Sequence, residues 1–122
     1  MAGNPKFGKR IRKLREEKRK EDPTFSLRKF AERVGISATY MSKVEHGEFD
    51  PPRAEKIIRM AELLGVDPDE LLALAGKMDP QLSEIIRGKP KAMADFLRTA
   101  REEGLTAEDI ERITRNIKKK RP

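Results

Sequence analysis

Two short helical patterns joined by a glycine limit the possible folds of this chain more than any other feature. Residues 26–47 read SLRKFAERVGISATYMSKVEHG. Apolar residues of the first pattern fall at the i, i+3, i+4 and i+7 positions of one helix face: Leu27, Phe30, Ala31 and Val34. The apolar face of the second pattern is narrower and consists of Ile36, Met41 and Val44. Because Gly35 can adopt a positive φ, the two helices are predicted to meet at a tight corner.

The polar side of the second predicted helix is broad. Small, polar and basic residues occupy it: Ala38, Thr39, Ser42, Lys43 and His46. A helix with so narrow an apolar seam buries one edge in its own domain and presents the rest to a partner.

The charge of the chain indicates the chemistry of that partner. Lys and Arg total 28 against 21 Asp and Glu, a formal charge of +7 that favours nucleic acid or, less readily, an anionic membrane surface. No apolar run approaches the length of a membrane span or a signal-peptide core. We therefore expect a cytoplasmic protein with no membrane association.

Residues that carry catalysis or bind metals are scarce. The absence of cysteine excludes disulfides, thiol catalysis and thiolate metal sites. His46 is the only histidine, so no metal site is expected and a surface or phosphate-facing role is the default. No nucleophile triad, carboxylate dyad or phosphate-binding loop is evident. We expect no enzyme activity, no cofactor and no small-molecule ligand.

Helical signals cover almost the whole chain, and no run alternates with period two for long enough to indicate a strand, so the fold is predicted to be all-α. A first helix lies within residues 6–20. The predicted N-caps of the next four helices are Ser26, Ser37, Asp50 and Asp67. The fourth helix would then carry Pro51 and Pro52 in its first turn. Gly76 ends the fifth helix, so residues 1–76 are predicted to form one domain.

Residues 77–122 are predicted to form a short C-terminal helical region. The apolar faces of its last two helices can meet in an antiparallel pair: Met93, Phe96, Leu97 and Ala100 with Leu105, Ile110, Ile113 and Ile117. That pair is too small to be stable alone, so it should dock on the first domain or on a second subunit.

Residues of about 7 to 76 resemble the lambda-repressor-like helix-turn-helix domain of Cro/CI and xenobiotic-response-element type regulators. The resemblance is carried by Ala31, by Gly35-Ile36-Ser37 at the turn, by TYMSKVEHG, and by DPPRAEKIIRMAELLGVDPDELL downstream. A lone helix-turn-helix pattern is a weak signal, whereas five helices in order over more than half the chain are a strong one.

The resemblance implies that the third helix lies in the DNA major groove while the second crosses the backbone above it. By position it implies base contacts from Ala38, Thr39, Tyr40 and Lys43. Positions suited to DNA backbone contacts are occupied by Ser26, Ser37, Ser42 and His46. It also implies a structural ion pair between Arg15 and Glu45.

Two departures from the family pattern concern the second helix and the segment before it. Many members carry Gln, which contacts phosphate, where this chain has Leu27. The connection between the first two helices is also longer than the commonest form. Lys18, Arg19 and Lys20 could reach neighbouring phosphates from it or simply be solvated.

The function implied is a sequence-specific DNA-binding transcriptional regulator, foremost a homodimeric repressor of a bacterium or its mobile element that binds an inverted-repeat operator. The predicted dimer residues are Phe96, Leu97, Ile110, Ile113 and Ile117. These helices could instead cover the fifth helix within one chain or receive a regulator. An antitoxin or a restriction–modification controller shares the domain, and a protein–protein transcriptional adaptor is the alternative from another class.

Overall fold

The computed structural model describes residues 3–120, which contain eight α-helices, one 3-10 helix and no strand. The α-helices are α1 (Pro5–Arg19), α2 (Leu27–Val34), α3 (Ala38–Glu45), α4 (Ala54–Leu64), α5 (Pro68–Leu74), α6 (Pro80–Gly88), α7 (Pro90–Glu102) and α8 (Ala107–Lys119). The 3-10 helix, Pro23–Phe25, lies between α1 and α2. The predicted all-α fold is confirmed.

Side-chain caps fix the starts of most helices, because the first N–H groups of a helix lack partners within it. The Ser26 and Ser37 hydroxyls accept hydrogen bonds from the amides three residues ahead, as predicted. Asp67 caps α5 in the same role. At α8, Thr106 and Asp109 form a reciprocal capping box.

The predicted start of the fourth helix is wrong. Its N-cap is Arg53, which has extended backbone and no side-chain capping bond, and Asp50 lies in the preceding loop. The carbonyl of Asp50 accepts a hydrogen bond from the Tyr40 hydroxyl at 2.8 Å, which ties this loop back to α3. Pro51 and Pro52 therefore precede the helix rather than enter its first turn, consistent with the bias of a residue before proline away from helical backbone.

α1 ends at Arg19, close to the predicted limit at residue 20, so residues 20–26 connect it to α2. The 3-10 helix that follows is anchored by Phe25, whose buried ring stacks on Phe30 at 5.8 Å between centroids. The Arg33 guanidinium lies over the Phe25 ring, 5.1 Å from its centroid. The extra residues thus form an ordered turn rather than a free loop.

The chain divides into two compact units, one ending at Gln81 and the other beginning at Leu82. The first unit contains a core of buried apolar side chains from all of its first five α-helices and the 3-10 helix. The largest fully buried members are Phe7, Phe30, Ile11, Met41, Ile57, Met60, Leu71, Leu72 and Val44. Each lies on the helix face that its spacing predicts.

The second unit has no comparable core. None of the described residues from Leu82 to Lys120 is buried. Apolar side chains of α7 and α8 instead line an open groove of about 220 Å³. No helix among residues 3–120 has both the length and the apolar character needed to cross a membrane.

Candidate nucleic-acid interface

One face of the third helix, α3, is buried in the first unit. Met41 and Val44 are buried in the core, and Glu45 is buried beside them at 4% exposure. Met41 and Val44 lie on the narrow apolar face that the sequence predicted, and Ile36 of that pattern packs against the core. The rest of the eight-residue helix is left at the surface.

The exposed side of α3 carries Thr39 and Lys43, which are one helical turn apart and so project from the same face. Thr39 is exposed, and the Lys43 side chain retains 43% of its accessible surface. Ala38, the first residue of the helix, is half-buried and packs against the core. A threonine methyl and a lysine ammonium displayed together suit the edges of bases in a major groove.

A buried ion pair ties α3 to α1. Arg15 Nε donates to Glu45 Oε2 at 2.7 Å and Arg15 Nη2 donates to Glu45 Oε1 at 2.9 Å, a two-pronged arrangement. Arg15 Nη1 donates to the Phe25 carbonyl at 3.1 Å. Hydrogen bonding to Glu45 raises the pKa of Arg15, so the guanidinium stays charged. One side chain thus connects α1, the 3-10 helix and α3.

A glycine on α1 allows a close approach to the same, C-terminal end of α3. A Cβ added to Gly8 would lie 2.7 Å from the Glu45 carbonyl oxygen and nearer still to that of Val44. Any side chain at this position would push α1 away from the last turn of α3. The contact is therefore backbone against backbone, which fixes the axial position of α3.

The corner between α2 and α3 is built as the sequence predicted. Gly35 ends α2 with φ at +89°, a left-handed conformation that favours glycine. The Gly35 and Ile36 amides both donate to the Ala31 carbonyl, at 2.9 and 3.0 Å. These bonds close the end of α2 and set the direction in which α3 leaves.

Tyr40 is the fourth residue predicted to contact bases, but its hydroxyl already has a partner within the chain. It donates to the Asp50 carbonyl, and the ring lies 6.1 Å from that of Phe49, centroid to centroid. Burial, with a smaller contribution from the Asp50 carboxylate, raises the pKa of the Tyr40 hydroxyl. The Tyr40 hydrogen bond thus ties the loop after α3 to the helix. The half-exposed ring of Phe49 lies beside Tyr40.

The ammonium group of Lys43 also has an intramolecular partner. Lys43 Nζ lies 3.3 Å from Glu48 Oε1, and the Glu48 side chain is 56% exposed. The acidic residue follows the turn at Gly47, where φ is +74°. Sequence spacing gave no signal for this pair, because the two residues are on different elements.

The four serine and histidine side chains predicted at the DNA backbone have distinct roles. The Ser26 and Ser37 hydroxyls cap α2 and α3, accepting from the Lys29 amide at 3.3 Å and the Tyr40 amide at 3.0 Å. Ser42 is half-buried, and its carbonyl lies 2.7 Å from Nδ1 of the exposed His46, which donates to it. The free amides of the two helix starts remain suited to binding phosphate.

The predicted dimer residues come together in the second unit. Phe96, Leu97, Ile110, Ile113 and Ile117 all line the open groove between α7 and α8, together with Ala100, Leu105 and Thr114. All five lie at the surface, and Phe96 and Ile117 remain more than half exposed. Met93, predicted in the same pair, does not line the groove.

The sequence did not predict three features of this region: the close approach at Gly8, the Lys43–Glu48 pair and the Tyr40–Phe49 contact. Glycine inside an otherwise helical pattern was the only available signal for the first. The described residues hold no group of three or more His, Cys, Asp or Glu side chains placed to bind a metal ion.

Together, the five-helix fold and the exposed face of α3 define a helix-turn-helix DNA-binding domain. A family model described as a helix-turn-helix domain matches residues 8–77, more than half of the chain. The chain belongs to this family, the lambda-repressor-like domain of Cro/CI and xenobiotic-response-element type regulators.

A solved structure entitled SinR protein/SinI protein complex contains a similar chain. The match covers 92% of this chain and 94% of that one, at 21% sequence identity and a TM-score of 0.47. The comparison with curated proteins found no significant match.

Proposed function

We propose that this protein is a sequence-specific, homodimeric transcriptional repressor that binds an inverted-repeat operator through the major groove. The observation that carries the proposal is the pairing of a firmly held α3 with an exposed face bearing Thr39 and Lys43. Lys43 would donate to O6 or N7 of guanine, and Thr39 would pack on a thymine methyl. Ala38 and the Tyr40 ring would line the same groove.

Backbone contacts would set the register of α3 on the duplex. The amides at the starts of α2 and α3, beside Ser26 and Ser37, would bind phosphates flanking the groove. The exposed imidazole of His46 and the Ser42 hydroxyl are the further candidates. The net charge of +7 would supply the non-specific part of the affinity, which weakens as salt rises.

A single short recognition helix reads too few base pairs to select one site in a genome, where about 10⁶ or more sites compete. Two copies related by a two-fold axis double the sequence that is read. Their half-sites would lie about one helical turn of DNA apart.

The second unit supports the dimer. Its described residues include none that is buried, so α7 and α8 lack the core that would stabilise them alone. The apolar side chains that line the groove, four exposed and Ile113 partly buried, would be covered by those of a second copy: Phe96, Leu97, Ile110, Ile113 and Ile117. Exposed apolar clusters of this kind commonly mark protein–protein interfaces.

Repression would follow where the operator overlaps promoter elements, because the bound dimer would exclude RNA polymerase. The test of this step is a reporter gene placed downstream of an operator that has been identified by selection from random DNA duplexes. Expression should fall when the protein is present and recover when the operator half-sites are scrambled.

Selection of binding sites from random DNA duplexes tests the proposal as a whole. We expect enrichment of a palindromic motif with half-sites about one turn apart. Lys43→Ala should weaken the enriched site more than random DNA, whereas Arg19→Ala should weaken both to the same extent. Weak, salt-labile binding with no enriched motif would refute the proposal and favour a protein–protein adaptor.

A further inference from the structure

Lys43 and Glu48 form an ion pair at the surface, and their charged groups have opposite roles in hydrogen bonding. The ammonium group only donates hydrogen bonds and the ionised carboxylate only accepts them. Nζ and Oε1 lie 3.3 Å apart, and the side chains are 43% and 56% exposed. Both groups are therefore open to a third molecule while they remain beside each other.

The position of Glu48 relative to α3 is fixed by the backbone. Its amide donates to the Lys43 carbonyl at 2.9 Å, and the Phe49 amide donates to the same carbonyl at 3.3 Å. These bonds close the end of α3 and place the Glu48 side chain within reach of the Lys43 ammonium group. Within residues 3–120, neither side chain has a second ion-pair partner.

A lysine alone is a poor reader of sequence. Its three donors accept any suitably placed acceptor: guanine O6 or N7, thymine O4, adenine N7 or a phosphate oxygen. A donor fixed beside an acceptor is more selective, because the base pair must present the complementary groups in the same order.

A G·C pair presents that order in the major groove. Guanine N7 and O6 accept, and the adjacent cytosine N4 donates. The spacing also fits, since O6 and N4 are hydrogen-bonded to each other at about 2.9 Å, close to the separation of the two protein groups. The same edge read in reverse, C·G, would oppose the ammonium group to a donor and the carboxylate to acceptors.

The two A·T orientations differ in the same way. T·A offers thymine O4 to the ammonium group and adenine N6 to the carboxylate, but replaces one guanine acceptor with a methyl group. A·T places thymine O4 against the carboxylate. The expected order of preference is therefore G·C, then T·A, with C·G and A·T rejected.

We propose that Glu48 is a specificity-determining residue and that Lys43 and Glu48 together read one G·C base pair of the operator half-site. The inference rests on the proposed function, in that α3 must lie in the major groove. It adds an acidic residue from the loop after α3 to the residues that read bases, and it assigns both members of the pair to a single position.

The test is selection from random duplexes with the full chain, followed by binding measurements on single-base variants of the enriched site. Wild-type protein should show one position per half-site with the order of preference given above. In Glu48→Ala, the penalty for C·G or A·T at that position should shrink by roughly five- to 150-fold, with other positions unchanged. Lys43→Ala should relax the same position, and the double variant should relax it no further than one single variant.

Glu62→Ala is the matched control, because Glu62 is an exposed glutamate paired with a basic side chain, Arg59, at 3.7 Å. It should leave the motif unchanged. The proposal is overturned if Glu48→Ala alters every position equally, if it alters none, or if the Lys43 and Glu48 variants relax different positions. Each of these outcomes presupposes a wild-type motif. A wild-type protein that enriches no motif overturns the proposed function, and this inference with it.

Discussion

Glu45→Ala should destabilise the first unit strongly. The substitution removes the acceptor of two charge-assisted hydrogen bonds, at 2.7 and 2.9 Å. Arg15 is 2% exposed in the wild type, and its remaining partners would be the Phe25 carbonyl and the largely exposed Glu16 carboxylate, 3.3 Å away. Because arginine keeps its proton, it cannot escape the cost of burial by becoming neutral.

Removing one partner of a buried ion pair costs about 3–5 kcal/mol. A small domain is stable by only about 5–15 kcal/mol, so much of the folding free energy would be lost. For a unit of this size the midpoint of thermal unfolding should fall by roughly 12–40 °C. Replacing both partners, as Arg15→Met with Glu45→Leu, should restore most of the stability, since the buried charge disappears.

Urea and thermal unfolding followed by far-UV circular dichroism measure these differences. Glu62→Ala serves as the control, because it breaks an exposed pair that is worth at most about 1 kcal/mol. If Glu45→Ala and Glu62→Ala lower the free energy of unfolding equally, the buried pair does not hold α3 in place. A double replacement as unstable as Glu45→Ala would also refute the reasoning, because the loss would then not come from an unpaired charge.

Three further predictions concern other parts of the chain. Gly8→Ala should destabilise the first unit by about 1–3 kcal/mol in urea unfolding, because the added methyl meets backbone atoms of α3; no loss would contradict the close approach. Ile117→Asp should give monomers in light scattering, whereas Ile85→Asp, with a similarly exposed isoleucine (59% against 58%) outside the groove, should leave dimers; monomers from both would refute the dimer assignment. Hydrogen bonds from Thr106 hold the pKa of Asp109 below its ordinary value of 3.8. The capping box therefore stabilises α8 fully above pH 3.8, and this stabilisation is lost as the pH falls through the lowered pKa. Amide exchange at Thr106 should therefore accelerate below about pH 4 in the wild type and be fast at every pH in Asp109→Ala, each compared with the intrinsic rate at the same pH.

The sequence predicted most helix boundaries because short-range signals determine them. Ser26, Ser37 and Asp67 cap helices within three residues of themselves, and the positive φ at Gly35 depends on that residue alone. The buried faces of α2 and α3 followed from periodicity in the same way.

The errors and omissions arise where distant residues compete for a group. Asp50 has the chemistry of an N-cap, but its carbonyl is bound by Tyr40, ten residues earlier, and this keeps it in the loop. The pairing of Lys43 with Glu48 depends on how the chain turns at Gly47, which a helical pattern does not encode.

Five of the eight residues of α3 fall into two sets that do not overlap. Met41, Val44 and Glu45 are buried and attach the helix to its domain, whereas Thr39 is exposed and Lys43 is partly exposed. Exchanging the second set should therefore change which DNA is recognised at little expense in folding free energy. A scaffold built in this way can acquire new operators over evolutionary time, one exposed side chain after another, without passing through unfolded intermediates.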